Sequence, residues 1–118
     1  MRRNKFGAKK TVVDGIIFHS GREAKRYSEL RLLEKAGEIS GLVLQPEYKF
    51  VIDSRPVLSR SERYPKGRQL KIIADFRYFD ARRKCQVWED SKGFRTKEFI
   101  IKKAFFEALN PGVILEEV

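Results

Sequence analysis

Apolar residues recur along this chain at two different spacings, and each switch of spacing marks an element. Thr11-Val12-Val13 and Ile16-Ile17-Phe18 flank Asp14-Gly15, a dipeptide favoured in two-residue hairpin turns, so residues 11–18 are expected to form a hairpin. Ser20-Gly21-Arg22-Glu23 has the spacing of a capping box, and Ala24, Tyr27, Leu30 and Leu33 then recur at helical intervals towards Ala36. Lys35 suits the negative end of that helix, and Gly37 is its natural stop. Leu42 to Ile52 reads as extended, with Pro46 interrupting or starting the strand. Residues 54–69 are polar and form a long loop or a protruding hairpin. Leu70 to Phe79 reads as a strand, Asp80 to Lys84 as a turn and Cys85 to Ser91 as a second strand, antiparallel to the first. Thr96 is placed to cap a helix over Lys97 to Leu109 whose apolar stripe is Ile101, Ala104, Phe105 and Ala108. Asn110-Pro111-Gly112 ends that helix, and Val113-Ile114-Leu115 is a last strand that the crossover lets return parallel to its neighbour.

Composition narrows the class. The chain has 118 residues, enough for one domain, and 42 % of them are hydrophobic, enough for a core. Residues 1–10 are expected to be a flexible basic arm, and residues 11–118 a single domain. Lysine and arginine number 26 against 16 acids, a net charge of +10 that favours polyanionic partners. No apolar run approaches the roughly 20 residues of a membrane span, and the basic N-terminus lacks the apolar stretch of a signal peptide. A cytoplasmic protein without membrane attachment is expected. Cys85 and His19 are the only cysteine and histidine. That excludes an internal disulfide and argues against structural zinc or a Cys–His hydrolase. His19 reads as a surface residue, and Trp88 as core.

Any catalysis must therefore rest on carboxylates and lysines. Side chains alternate faces along a strand, so Asp90 and Lys92 share a face, and pairing with the preceding strand brings Asp75 to it. Two carboxylates and an ammonium in one volume suit a divalent-metal site that cleaves a phosphodiester. Asp75 interrupts the apolar run Ile72-Ile73-Ala74-Phe76, where a carboxylate is costly unless paired or metal-bound. Glu89 competes with Asp90 as the second acid. Alternation favours Asp90, and a bulge would exchange them. Gly93 after Lys92 lets backbone approach a phosphate closely. Gln45 reads either as a polar residue ahead of Pro46 or as a contact near the site. The cations Arg2, Arg3, Lys5, Lys9 and Lys10, then Arg60, Arg63, Lys66 and Arg68, and finally Lys97, Lys102 and Lys103 read as solvated faces singly. As a set they supply non-specific affinity for DNA through counterion release.

The order helix, three strands, helix, strand, with Asp75 on the second core strand and Asp90-Ser91-Lys92 on the third, resembles the PD-(D/E)XK nucleases over about residues 20–117. The runs RNKFGAKKTVVDGIIFHSGREAKRY, LLEKAGEISGLVLQP, IADFRY and EDSKGF are similar to small phage and prophage proteins described either as uncharacterised or as resolvase-like endonucleases. The resemblance implies an α/β fold with a restriction-endonuclease-like αβββαβ core, a mixed sheet flanked by helices, to which the N-terminal hairpin is added. It implies a Mg²⁺- or Mn²⁺-dependent endodeoxyribonuclease, phage- or prophage-encoded and acting in the bacterial host. Asp75 takes the first acid of the motif, Asp90 the second and Lys92 the lysine, while Ala74 stands where the motif has proline. The carbonyl of Ser91 is a further metal ligand on this reading. Glu23 matches an additional glutamate on the first helix, although capping alone also accounts for it. The implied substrate is branched DNA such as a Holliday junction, cut by a homodimer. The alternative is a nucleic-acid-binding phage protein without catalysis.

Overall fold

The computed structural model describes residues 10–90 and 96–118. The chain opens with the hairpin β1 (Thr11–Val13) and β2 (Ile16–Phe18), followed by helix α1 (Gly21–Lys35). Ser20 caps α1, its Oγ accepting the Glu23 N–H at 3.1 Å. Strands β3 (Ile39–Leu44), β4 (Glu47–Lys49), β5 (Val51–Ile52), β6 (Arg55–Pro56), β7 (Leu58–Ser59), β8 (Arg68–Gln69), β9 (Lys71–Ile73), β10 (Phe76–Asp80) and β11 (Cys85–Asp90) come next. Helix α2 (Lys97–Leu109) and strand β12 (Ile114–Glu117) complete the order.

The main sheet is mixed and four-stranded, in the order β12-β11-β10-β3. Strand β12 runs parallel to β11, as a crossover through α2 requires, and the other pairs are antiparallel. Alternation along the strands feeds a core on each face. Phe76, Tyr78 and Val87 pack with Phe18, Ala24, Tyr27, Leu30 and Ile39, under α1 and the hairpin. Trp88 and Leu115 pack with Phe50, Ile72, Ala74 and Phe106, on the α2 side. The sheet thus lies between two helices, the usual way to bury both faces. No helix among the described residues is long and apolar enough to cross a membrane.

Three expectations are corrected. Leu70 to Phe79 is two strands, not one, with Ala74 and Asp75 between β9 and β10. The extended stretch from Leu42 also starts earlier, at Ile39, and divides at Gln45 and Pro46. The two breaks are one event. The β3–β10 and β4–β9 pairings share a register, which sets Gln45 opposite Asp75 and Pro46 opposite Ala74. The Ala74 N–H donates to the Pro46 carbonyl at 3.1 Å, but proline has no N–H to return. Gln45 takes a left-handed φ of 49° beside it. A single antiparallel ribbon is therefore kinked where Pro46 removes a rung. A bulge lies further along, where the register shifts between Arg77 and Phe79, opposite Gly41 at φ 65°.

Of the two readings of residues 54–69, the hairpin holds: β7 pairs with β8 within them, and β6 pairs with β5 just before. The third correction concerns α2. Its expected stripe faces outward, with Ile101 57 % and Phe105 51 % exposed, whereas Phe106 is buried against Tyr48 and Trp88. Phe106 outcompetes the stripe because one aromatic wedged between two rings at centroid distances of 5.0 and 5.1 Å fills the space beneath the helix.

The adjacent Phe105 and Phe106 therefore differ in consequence. Phe106→Ala should lower stability by about 4 kcal/mol. Phe105→Ala should stay within about 1 kcal/mol. Urea unfolding followed by Trp88 fluorescence measures both.

Candidate functional site

Strand β11 ends in two acids, Glu89 and Asp90, and each is about 1 % exposed. Alternation sends them to opposite faces. On the α1 side, Glu89 lines a small cleft of about 150 Å³ with Arg22, Lys25, Arg26, Glu29 and Asp75. On the α2 side, Asp90 lines a larger cleft of about 690 Å³ with residues of the β7–β8 hairpin, β9 and the start of α2.

The Glu89 carboxylate is fully engaged. Arg26 grips it with both arms of its guanidinium, Nε to Oε1 at 2.8 Å and Nη2 to Oε2 at 2.7 Å. The Tyr78 hydroxyl donates to Oε2 as well. The bond to Glu89 raises the Arg26 pKa above its ordinary value and outweighs burial, which lowers it. Burial raises the Tyr78 pKa, and the hydrogen bond to Glu89 adds to that. The three residues form a closed ionic unit joining α1, β10 and β11.

Asp75 lies in the bend of the kinked ribbon, half-buried. Its N–H donates to the Glu89 carbonyl at 2.9 Å, and its own carbonyl accepts the Gln45 N–H at 2.8 Å. The β10–β11 register ends at Phe76 opposite Glu89, and Asp75 lies just past it in the bend. The expected sharing of one face is corrected: the bend places Asp75 in the wall of the α1-side cleft with Glu89, and Asp90 lines the other cleft. Gln45, exposed, is brought against Asp75. Glu23 sits in the first turn of α1 and lines neither cleft. Ser91 and Lys92 lie outside the described residues, as do Arg2, Arg3, Lys5 and Lys9. Lys10 and His19 are exposed.

Of the expected DNA-contacting cations, Arg68 and Lys102 line the larger cleft with Asp90. Lys102 is paired with Glu98 at 3.1 Å and Lys103 with Glu107 at 3.7 Å. Arg60, Arg63, Lys66 and Lys97 are exposed. Several residues of the clefts escape a sequence reading. Arg26 carries no local signal, because its partner Glu89 lies 63 residues further along the chain. Tyr64 and Lys71 join the larger cleft through the β7–β8 and β4–β9 ladders, which no local pattern announces.

No group of three or more His, Cys, Asp or Glu placed to hold a metal ion occurs among the described residues. A Mg²⁺ ion, however, keeps several waters and is commonly held by one or two carboxylates. Asp75 and Asp90 carry hard oxygens of that kind, each from the wall of a different cleft.

Removing one partner of a buried pair leaves the other charge stranded. Arg26→Ala should therefore cost on the order of 3 kcal/mol, and Tyr78→Phe only about 1 kcal/mol because the Arg26 fork remains. Denaturant titration of both variants, compared with Arg26→Ala/Glu89→Gln, measures this. The double variant should recover part of the loss.

No curated protein and no solved structure matches the chain. One protein family does match, over residues 3–116 and hence nearly the whole length, including both helices, the kinked ribbon and the paired acids of β11. The chain belongs to the family described as "Protein of unknown function (DUF1064)".

Proposed function

We propose that this protein is a divalent-metal-dependent DNA endonuclease with a PD-(D/E)XK site. The observation that carries the reading is Asp90, a carboxylate buried at a strand end in the wall of a large cleft that also contains Arg68, Lys71 and Lys102. A buried acid beside cations on a protein of net charge +10 suits chemistry on a polyanion. Further support comes from the succession α1, β3, β10, β11, α2, β12, which follows the αβββαβ order of those nucleases.

On this reading Asp75 and Asp90 would be the carboxylates that hold Mg²⁺ or Mn²⁺, with the Ser91 carbonyl as a further donor. The bound cation supplies an acidified water and neutralises charge on the phosphoryl oxygens. Lys92 orients the attacking water and steadies developing negative charge. Arg68 holds the DNA backbone along the cleft, and Gln45 supports the backbone of Asp75. Glu89 is excluded from ligation because Arg26 and Tyr78 occupy its oxygens. The products carry 5′-phosphate and 3′-hydroxyl ends. The substrate class is branched DNA such as a four-way junction. Cutting two strands of a junction needs two sites, hence a homodimer, and the exposed apolar face of α2 supports a pairing surface.

The test is incubation of labelled four-way junction, linear duplex and single-stranded DNA with Mg²⁺, Mn²⁺ or EDTA. Metal-dependent cutting is expected, strongest on the junction. Asp90→Asn and Asp75→Asn should each lose at least about a hundredfold in rate while binding DNA as before. Equal cutting of every substrate would remove the junction preference. Folded protein that binds DNA but cuts nothing in either metal would overturn the enzyme in favour of a binding module.

A further inference from the structure

The larger cleft has an aromatic residue at its mouth that no part of the fold uses. Tyr64, at the tip of the β7–β8 hairpin, is 37 % exposed and belongs to neither core. Two guanidiniums lie against its ring, Arg68 at 5.0 Å and Arg63 at 5.6 Å from the centroid. The hairpin holds the residue firmly. The Tyr64 N–H donates to both the carbonyl and Oγ of Ser61, and its carbonyl accepts N–H groups from Ser61 and Gly67. Gly67 closes the loop at φ 96°, where a Cβ would come within 2.9 Å of Leu58. The tip's backbone is therefore fixed, and the ring it carries remains 37 % exposed.

Tyr64, Arg68, Ser59, Ser61, Lys71 and Asp90 all line this cleft. We propose that the cleft binds a locally unpaired stretch of DNA, with a nucleobase stacked on Tyr64 and the adjoining phosphates on Arg68 and Lys71. Aromatic faces flanked by arginines are how proteins engage bases without reading their sequence. A base inside a duplex is stacked on both sides and offers no free face. A space of about 690 Å³ is also on the scale of a nucleotide rather than of a double helix. Ring, cations and buried acid then lie along one path, so the strand that stacks on Tyr64 is the strand led towards Asp90. That last step rests on the nuclease reading. The stacking itself does not.

The experiment is fluorescence anisotropy in EDTA, which excludes cleavage, with a labelled single-stranded oligonucleotide, the blunt duplex of the same sequence, and that duplex bearing a single-stranded flap. Tyr64→Ala should weaken binding to the single strand and the flap about tenfold, the loss of one stacked base. It should leave the blunt duplex within about twofold, where phosphate contacts dominate. Tyr64→Phe and Tyr64→Trp should bind like the parent, and circular dichroism checks that each variant is folded. The proposal falls if Tyr64→Ala weakens all three DNAs alike, if it weakens none, or if Tyr64→Phe is as poor as Tyr64→Ala. The metal-dependent cleavage assay separates the two readings. Selective loss of single-strand binding in a protein that cuts nothing keeps the stacking site and removes the nuclease. Cleavage that persists while Tyr64→Ala binds every DNA normally keeps the nuclease and removes the stacking site.

Discussion

The bidentate bond between Arg26 and the buried carboxylate of Glu89 is the interaction on which the rest of this structure depends. Glu89 has essentially no exposed surface, and a carboxylate in that state is tolerable only with its oxygens occupied. Arg26 reaches it from α1 and Tyr78 from the neighbouring strand. Those contacts set the height and rotation of α1 over the sheet. They also settle which way β11 faces, because a strand that must present Glu89 to α1 must present Asp90 to the other side. A slip of one residue would strand the Arg26 charge and reverse both cores at once.

The second constraint is the missing rung at Pro46. It bends a long antiparallel ribbon so that its inner half, β3 and β10, belongs to the main sheet. The outer half, β4 and β9, turns away and carries the hairpins β5–β6 and β7–β8. Residues at the bend leave the alternation of the strands on either side, which is why Asp75 lines a different cleft from Asp90. The strained φ of Gln45 is maintained by its own N–H to the Asp75 carbonyl and by the Ala74–Pro46 bond on the other side.

Elements whose signals are local were legible in the sequence. The Asp14-Gly15 hairpin, the Ser20 cap of α1, the Thr96 cap of α2 and its stop at Asn110 follow from turn and capping chemistry within a few residues. The parallel return of β12 followed from the crossover helix. The opposite facing of Glu89 and Asp90 was legible from alternation alone, whereas the partners of Glu89 were not, because Arg26 lies 63 residues away. The buried face of α2 was misread. Ile101, Ala104, Phe105 and Ala108 have the better helical periodicity, but burial was decided by Tyr48 and Trp88, which come from elsewhere in the chain and accept Phe106. The break at Ala74 could be found only by aligning that strand with Pro46 on its partner. The register linking them depends on the whole ribbon, not on either segment.

The kinked ribbon also bears on how such a chain changes over generations. Beyond Val57 and before Leu70, which pack at the edge of the α2-side core, the β7–β8 hairpin projects with nearly every residue at the surface. Lengthening, shortening or exchanging that finger shifts no rung of the β10–β11 ladder and leaves the Glu89 clamp untouched. Its entropic penalty grows only with the logarithm of length. The fold thus separates a conserved-by-physics chassis, where a single insertion would throw every side chain to the wrong face, from an appendage free to diversify. Variants of this architecture can change the finger without rebuilding the strand ends where the acids sit.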